Sequence, residues 1–169
     1  GDALRGRELS GGQVVECPGC GGLWLTQDRF EQACATADAR ERVSAELRER
    51  PAPARPDEAH PPRYLPCVAC GELMHRRNYA SISGIVIDVC RKHGVWLDHS
   101  ELEKILAFVR RGGLDRSRER ELALLWVLSF SDGEHSLADI VARSALPHAA
   151  VTAAAEALEE AGLLARLEP

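Results

Sequence analysis

The sequence predicts an α+β protein, in which small metal-stabilised β-hairpins precede a mostly helical C-terminal part. Two short pairs of ligand residues, Cys67 with Cys70 and Cys90 with His93, are separated by about twenty residues, a spacing typical of zinc sites. A second, partial copy of this pattern lies near the N-terminus. Long stretches between and after the pairs have apolar residues at helical spacing. Together these features indicate hairpins stabilised by metal and followed by helices.

The partial copy occupies residues 1–26. Cys17-Pro-Gly-Cys20 is followed by Gly-Gly-Leu-Trp-Leu, much as Gly-Val-Trp-Leu follows His93. Gly1–Leu4 aligns with Gly71–Met74, so we expect a further Cys pair directly before Gly1 in the complete protein. Two thiols alone are too few for a stable zinc site, which leaves weak metal binding, a disulfide or free thiols as alternatives. A thioredoxin-like redox role is disfavoured because no helix start follows the pair.

Residues 27–50 are predicted to form one helix, because Ala, Arg and Glu dominate and the apolar positions have helical spacing. A proline-rich linker follows over residues 51–63, since proline removes backbone donors and favours extended conformations. The intact hairpin and a helix over Ser100–Arg111 then make up residues 64–112. Gly112-Gly113 is predicted to end that helix.

Cys67, Cys70, Cys90 and His93 are the predicted Zn²⁺ ligands. Three thiolates and one imidazole form a tetrahedral set, and four protein ligands leave no position for water or substrate. We therefore expect a structural zinc ion. The sequence has no nucleophile elbow, phosphate loop, HExxH motif or dinucleotide fingerprint, so a protein that is not an enzyme is expected.

The segment around these ligands resembles a bacterial zinc ribbon family that is similar to the zinc finger of transcription factor IIB. The resemblance covers about forty residues, and only His93 departs from the commonest pattern, which has Cys there. It implies a zinc ribbon with a transcription-associated or nucleic-acid-linked role. The matching positions are Cys67, Cys70, Gly71, Leu73, Met74, Ile85–Val89, Cys90, Gly94, Trp96, Leu97, Asp98, Glu101 and Leu102.

Residues 115–169 are predicted to contain three helices. The first runs over Arg118–Phe130, the second over Leu137–Ala145 with Ser136 as its N-cap, and the third from Pro147 to Glu160. A short strand over Leu163–Leu167 should follow. This order resembles a winged helix-turn-helix domain.

The charge distribution bears on nucleic-acid binding. Residues 115–169 hold five Arg and ten Asp or Glu, which accounts for the whole net charge of −5. The third helix there has no Arg or Lys and carries three Glu, so its charge opposes contact with phosphates. The hairpin is basic instead, and Arg76 and Arg77, with Tyr79 as a stacking ring, are the candidate nucleic-acid contacts. These residues can equally be solvated hairpin positions.

The sequence is therefore interpreted as a cytoplasmic, zinc-binding, non-enzymatic protein that acts as a transcription-associated or protein-interaction adaptor. The first alternative is a DNA- or RNA-binding regulator that uses the basic hairpin. A thiol enzyme based on Cys17 and Cys20 is the third interpretation. The sequence contains no run of eighteen apolar residues, so no transmembrane helix is predicted.

Overall fold

The computed structural model describes residues 3–54 and 64–165, and it confirms the α+β class. Six strands form one antiparallel sheet in the order β1-β2-β3-β6-β5-β4. Each of the two predicted ribbon segments contributes three consecutive strands to it. The strands are β1 (Arg5–Leu9), β2 (Gly12–Glu16), β3 (Leu23–Thr26), β4 (His75–Asn78), β5 (Val86–Cys90) and β6 (Gly94–Leu97).

The two halves of the sheet join where β3 pairs with β6. Trp24 lies opposite Trp96, which is the equivalent position of the second repeat. On either side of this pair, Leu23 faces Leu97 and Leu25 faces Val95. This exchange of equivalent partners is the pattern of a local two-fold axis between the two tryptophans.

A glycine makes this central pairing possible. Gly94 lies opposite Thr26, and a Cβ atom on Gly94 would overlap the carbonyl oxygen of Leu25. Because the obstructing atom is backbone, no rotamer change can relieve the overlap. The close approach of β3 and β6 therefore requires a residue without a side chain at this position.

Three helices cover one face of the sheet and build the main core. They are α1 (Gln27–Ala35), α2 (Ala37–Arg48) and α3 (Glu101–Arg110). Alternate residues of the strands point into this core, as the two-residue period of a strand requires. Each fully buried aliphatic side chain contributes about 1.5–3 kcal/mol. The buried residues are Leu9, Val14, Leu23, Leu25, Phe30, Ala33, Val43, Leu47, Ile87, Val95, Leu97, Leu102, Ile105 and Leu106.

The single helix predicted over residues 27–50 is two helices, and the structure corrects that prediction. Thr36 has an extended backbone, with φ −118° and ψ 160°, and separates α1 from α2. Its hydroxyl accepts a hydrogen bond from the amide of Ala39 at 3.1 Å. Thr36 thus ends α1 and is the N-cap of α2. Thr-Ala-Asp is a local N-cap signal, but the helix-favouring residues on both sides of it hide that signal.

The C-terminal helices form their own core. Backbone contacts divide the chain into two compact units, Gly1–Gly113 and Leu114–Pro169. The helices are α4 (Gly113–Phe130), α5 (Leu137–Ser144) and α6 (His148–Glu160). Their buried residues are Ala123, Val127, Ile140, Val151, Ala154 and Leu158.

A local signal accounts for the start of α5. Ser136 and Asp139 form a reciprocal capping box at the start of α5, as the predicted N-cap implies. Helix α4 starts at Gly113, earlier than the predicted Arg118. Residues 163–165 are not in a strand, and the rest of the strand predicted to follow α6 lies outside the described residues.

The predicted linker is only partly described. Residues 51–54 have no regular secondary structure, and residues 55–63 lie outside the described part of the chain. Among the helices of residues 3–54 and 64–165, none combines the length and apolar character needed to cross a bilayer.

The close approach at Gly94 gives a direct test of the central pairing. We expect Gly94→Ala to lower the free energy of unfolding of the N-terminal unit by about 2–3 kcal/mol, because the new methyl group displaces β6 from β3. Gly6→Ala is the matched control, since a Cβ atom at Gly6 meets its nearest neighbour at an ordinary 3.7 Å. Urea titration with excess zinc measures both, and equal stability of the two variants would contradict this account.

Candidate functional site

Four potential metal ligands meet at one end of the second hairpin. Cys67 and Cys70 lie in the turn before β4, while Cys90 ends β5 and His93 lies in the turn before β6. Their ligand atoms all lie within 4.8 Å of one another. The Cys70 and Cys90 sulfurs are 3.9 Å apart, and Cys90 Sγ is 3.5 Å from His93 Nδ1. The fold therefore brings together the four residues that the sequence predicts, and this cluster can hold a metal ion.

The surroundings favour the thiolate form of Cys90 in particular, whereas a backbone hydrogen bond from Glu72 is outweighed by burial and the neighbouring thiols of Cys67 and Cys90, which raise the pKa of Cys70. Cys67 and Cys90 are buried, whereas Cys70 is exposed. The backbone N–H of Lys92 and the hydrogen bond with His93 lower the pKa of Cys90 to about 6. Because metals bind the deprotonated thiol, this environment prepares Cys90 as a ligand.

An apolar cluster covers the candidate metal ligands on the sheet face opposite the helices. Trp96 and Met74 are buried against Cys67 and Cys90, and Trp24 packs against the same cluster. The indole N–H of Trp96 donates to Asp98 Oδ1 at 3.0 Å. Both tryptophans thus cover the ligand cluster with apolar surface.

The Cys17–Cys20 turn has the same backbone hydrogen bonds as the Cys67–Cys70 turn. In the first, Cys17 N–H donates to the carbonyl of Gly22 at 2.9 Å, and Gly21 N–H donates to that of Cys17 at 2.8 Å. In the second, Cys67 N–H donates to Glu72 and Gly71 N–H donates to Cys67, both at 2.8 Å. The two turns are therefore built alike, although the sequence repeat aligns Cys17–Cys20 with Cys90–His93.

The two turns differ in what surrounds them. Within residues 3–54 and 64–165, one group of three or more candidate ligands has all its ligand atoms within 4.8 Å of one another. It consists of Cys67, Cys70, Cys90 and His93. Cys17 and Cys20 have no such third ligand in that part of the chain. Their assignment as metal ligands remains a prediction.

A buried arginine holds the Cys17–Cys20 turn. Arg50 donates to the carbonyl of Gly21 at 2.8 Å and, through Nε, to Glu16 at 3.0 Å. Burial opposes ionisation of Glu16, but the Arg50 hydrogen bond and charge, with help from Arg7, lower its pKa. No sequence signal identified Arg50, since its partner Glu16 lies far away along the chain.

A group of carboxylates lies beside Trp96. Asp88 is opposite Trp96 in the sheet, and burial, above all, raises its pKa. Glu101 accepts a hydrogen bond from the Asp98 amide at 2.7 Å, yet burial raises the pKa of Glu101 to about 7. Ser100 is the N-cap residue of α3, and Glu101 in the first turn of that helix reaches back to the Asp98 amide.

The candidate nucleic-acid contacts lie on or next to the edge strand β4. Arg76 and Arg77 are exposed, and Arg76 Nε is 4.0 Å from Asp88 Oδ1. The Tyr79 ring packs edge-on against Phe30 and Phe108, with centroids 5.8 and 6.1 Å away. Tyr79 is half-buried in this packing. Nucleic-acid binding by these residues remains a prediction.

The outer face of α6 is small and acidic. Ala149 and Ala153 are exposed, as are Glu156 and Glu160. Near the start of the helix, His148 Nδ1 and Thr152 Oγ1 are 3.2 Å apart. These two side chains are the polar groups that α6 presents near its N-terminus.

Comparison with known proteins identifies the C-terminal fold. A winged helix-turn-helix family model matches residues 108–166, which span the end of α3 and all of α4 to α6. No curated protein and no solved structure matches the chain significantly. The family match covers less than half of the chain. It confirms the predicted winged-helix class, while the likeness of the N-terminal unit to zinc ribbons stays a resemblance.

The half-buried Glu101 predicts a pH-dependent stability. Since its pKa is raised in the folded state, the carboxylate destabilises the protein increasingly as the pH rises from about 4.5 to about 7. We expect Glu101→Gln to stabilise the protein, with a gain about 1 kcal/mol larger at pH 8 than at pH 6 after allowance for partial exposure. Urea unfolding with excess zinc measures it, and exposed Glu49→Gln is the control. A gain in stability that does not change with pH would contradict the raised pKa of Glu101.

Proposed function

We propose that this chain is a non-enzymatic, zinc-stabilised regulator that binds DNA or RNA in a reducing compartment such as the cytoplasm. The winged helix-turn-helix match over residues 108–166 is the observation that carries this proposal. Winged helices are a recurrent nucleic-acid-binding fold, although a fold alone does not fix a function. The basic edge strand of the N-terminal unit supplies the positive charge that α6 lacks.

Zinc is the metal that the donor set favours. With Zn–S distances of about 2.3 Å and Zn–N distances of about 2.0–2.1 Å, a tetrahedral ion separates two sulfurs by about 3.8 Å and a sulfur from a nitrogen by about 3.5 Å. The distances of 3.9 and 3.5 Å in the cluster fit both values. Three thiolates and one imidazole complete the coordination, so we assign the ion a structural role.

Nucleic-acid contact in this proposal begins at β4. Arg76 and Arg77 extend from a strand whose four residues are all exposed, and an edge strand can approach a phosphate backbone without obstruction by a neighbouring strand. Within the C-terminal unit, His148 and Thr152 offer neutral hydrogen-bonding groups near the start of α6. Phosphate contacts by the arginines would then supply most of the affinity.

A protein-interaction adaptor is the second candidate function. The specific observation in its favour is the outer face of α6, where the exposed Ala149 and Ala153 are followed by the exposed Glu156 and Glu160. Small side chains permit close approach of another helix, and the acidic groups would select a basic protein surface over phosphate.

The zinc assignment predicts that the Cys90→Ser variant loses its metal and much of the structure of the N-terminal unit. Zinc binding contributes on the order of 10 kcal/mol to folding in small zinc domains, so its loss outweighs other local changes. Native mass spectrometry gives the stoichiometry, and tryptophan fluorescence reports the cluster because Trp96 packs on it. Cys34→Ser is the control, since Cys34 lies in α1 outside the ligand cluster.

Retention of one zinc ion by Cys90→Ser would overturn the assignment. The Cys17→Ser/Cys20→Ser variant tests the first turn in the same experiment. If those thiols bind metal, the unmodified chain carries a second zinc ion that this double variant loses.

The nucleic-acid proposal predicts binding that weakens steeply with salt. We expect Arg77→Ala to weaken binding and to reduce the slope of log K against log salt by about 0.7–0.9 for the lost phosphate contact. Arg77 is preferable to Arg76 as the single variant, because Arg76 is the cation beside the buried Asp88. Fluorescence anisotropy with labelled duplex DNA and single-stranded RNA at several salt concentrations gives both slopes.

Matched charge controls come from the same unit. Arg48 and Arg110 are exposed cations near Glu41, at 3.4 and 3.6 Å, and either alanine variant changes the net charge as Arg77→Ala does. These variants should leave the slope unchanged. Binding that is absent at low salt, or that the three variants weaken equally, would favour the adaptor function.

A further inference from the structure

We propose that the chain forms a symmetric dimer in which two copies of α4 pack antiparallel. Four leucines of α4 are exposed on one side of the helix, although leucine is usually buried. Leu125 is 61% exposed, and the others are 42–48% exposed. We call this the leucine face; its members are Leu114, Leu122, Leu125 and Leu128.

The spacing along this face is that of a helix–helix seam. Leu114, Arg118, Glu121, Leu125 and Leu128 follow one another at alternating intervals of four and three residues. This alternation keeps side chains on one line between two paired helices. Leu122 lies beside the line and widens the apolar surface.

Two opposite charges interrupt the seam, and they select its partner. Arg118 and Glu121 are both exposed, and neither has an ion-pair partner within residues 64–165. In an antiparallel pair, the register that places Leu114 against Leu125 of the partner subunit also places Arg118 against Glu121 of the partner subunit. The two-fold axis repeats each contact, so the dimer has two ion pairs between leucine contacts.

Other arrangements leave these charges unsatisfied. A parallel pair of α4 helices brings the two Arg118 side chains together and likewise the two Glu121 side chains, which is repulsive. A purely apolar helix from another protein would cover both charges without a counter-ion, at a cost in desolvation. A second copy of this chain satisfies both the leucines and the charges, and it requires neither zinc nor nucleic acid.

Sedimentation velocity of the full chain over a range of concentrations tests the proposal. The unmodified chain should be dimeric at high concentration, and Leu125→Asp should be monomeric. Glu121→Arg places two pairs of arginines face to face, so we expect its dimer to dissociate at least about tenfold more readily. The double variant Arg118→Glu/Glu121→Arg restores the opposite charges and should recover the dimer.

The controls separate dimer contacts from general effects of folding or hydrophobicity. Leu163→Asp removes a leucine that is 64% exposed in the same unit but lies outside α4, and it should remain dimeric. Circular dichroism checks that each variant keeps its helices. A monomeric unmodified chain at its solubility limit would overturn the proposal, as would a double charge swap that fails to recover the dimer.

Discussion

The pairing of β3 with β6 is the contact on which the N-terminal unit depends. It joins two three-stranded antiparallel segments into one sheet. Only in that sheet do four side chains form one apolar surface; they are Leu23, Leu25, Val95 and Leu97. Helices α1 and α3 come from different repeats, yet their buried residues share this core. Separate hairpins would each have too little apolar area to order these helices, because small units bury a smaller fraction of their surface.

The sheet uses its two faces differently. One face is covered by helices and stabilised by ordinary aliphatic packing, while the other carries the tryptophans, the candidate metal ligands and the buried Asp88. Domain stabilities are typically about 5–15 kcal/mol, the same order as the contribution of a structural zinc ion. A metal bound on the second face can therefore decide whether the folded sheet is the dominant state, although it contacts only a few residues.

Features encoded by neighbouring residues could be predicted from the sequence. Cys67, Cys70, Cys90 and His93 were identified because each pair lies in one turn, and Ser136 because an N-cap acts within three residues. The N-cap at Thr36 is equally local, but helix-favouring residues on both sides hide its signal.

Features that depend on distant segments could not be predicted in this way. The repeat indicated two similar hairpins, but no local pattern states that β3 must pair with β6. The contact of Arg50 with the Cys17 turn, and the packing of Tyr79 between Phe30 and Phe108, join segments that meet only in the folded sheet. The sequence shows Tyr79 near Arg76 and Arg77 but not the two phenylalanine rings that it packs against.

The Arg50 contacts make the two halves of the sheet unlike at their cysteine turns. In the first half, a guanidinium group on the same chain fastens the Cys17–Cys20 turn to Glu16, whereas the corresponding turn of the second half holds Cys90 and His93, two of the four candidate metal ligands. Two copies of one sequence pattern thus differ in chemistry: one turn is fixed by a side chain of the protein, and the other offers donor atoms to an external ion.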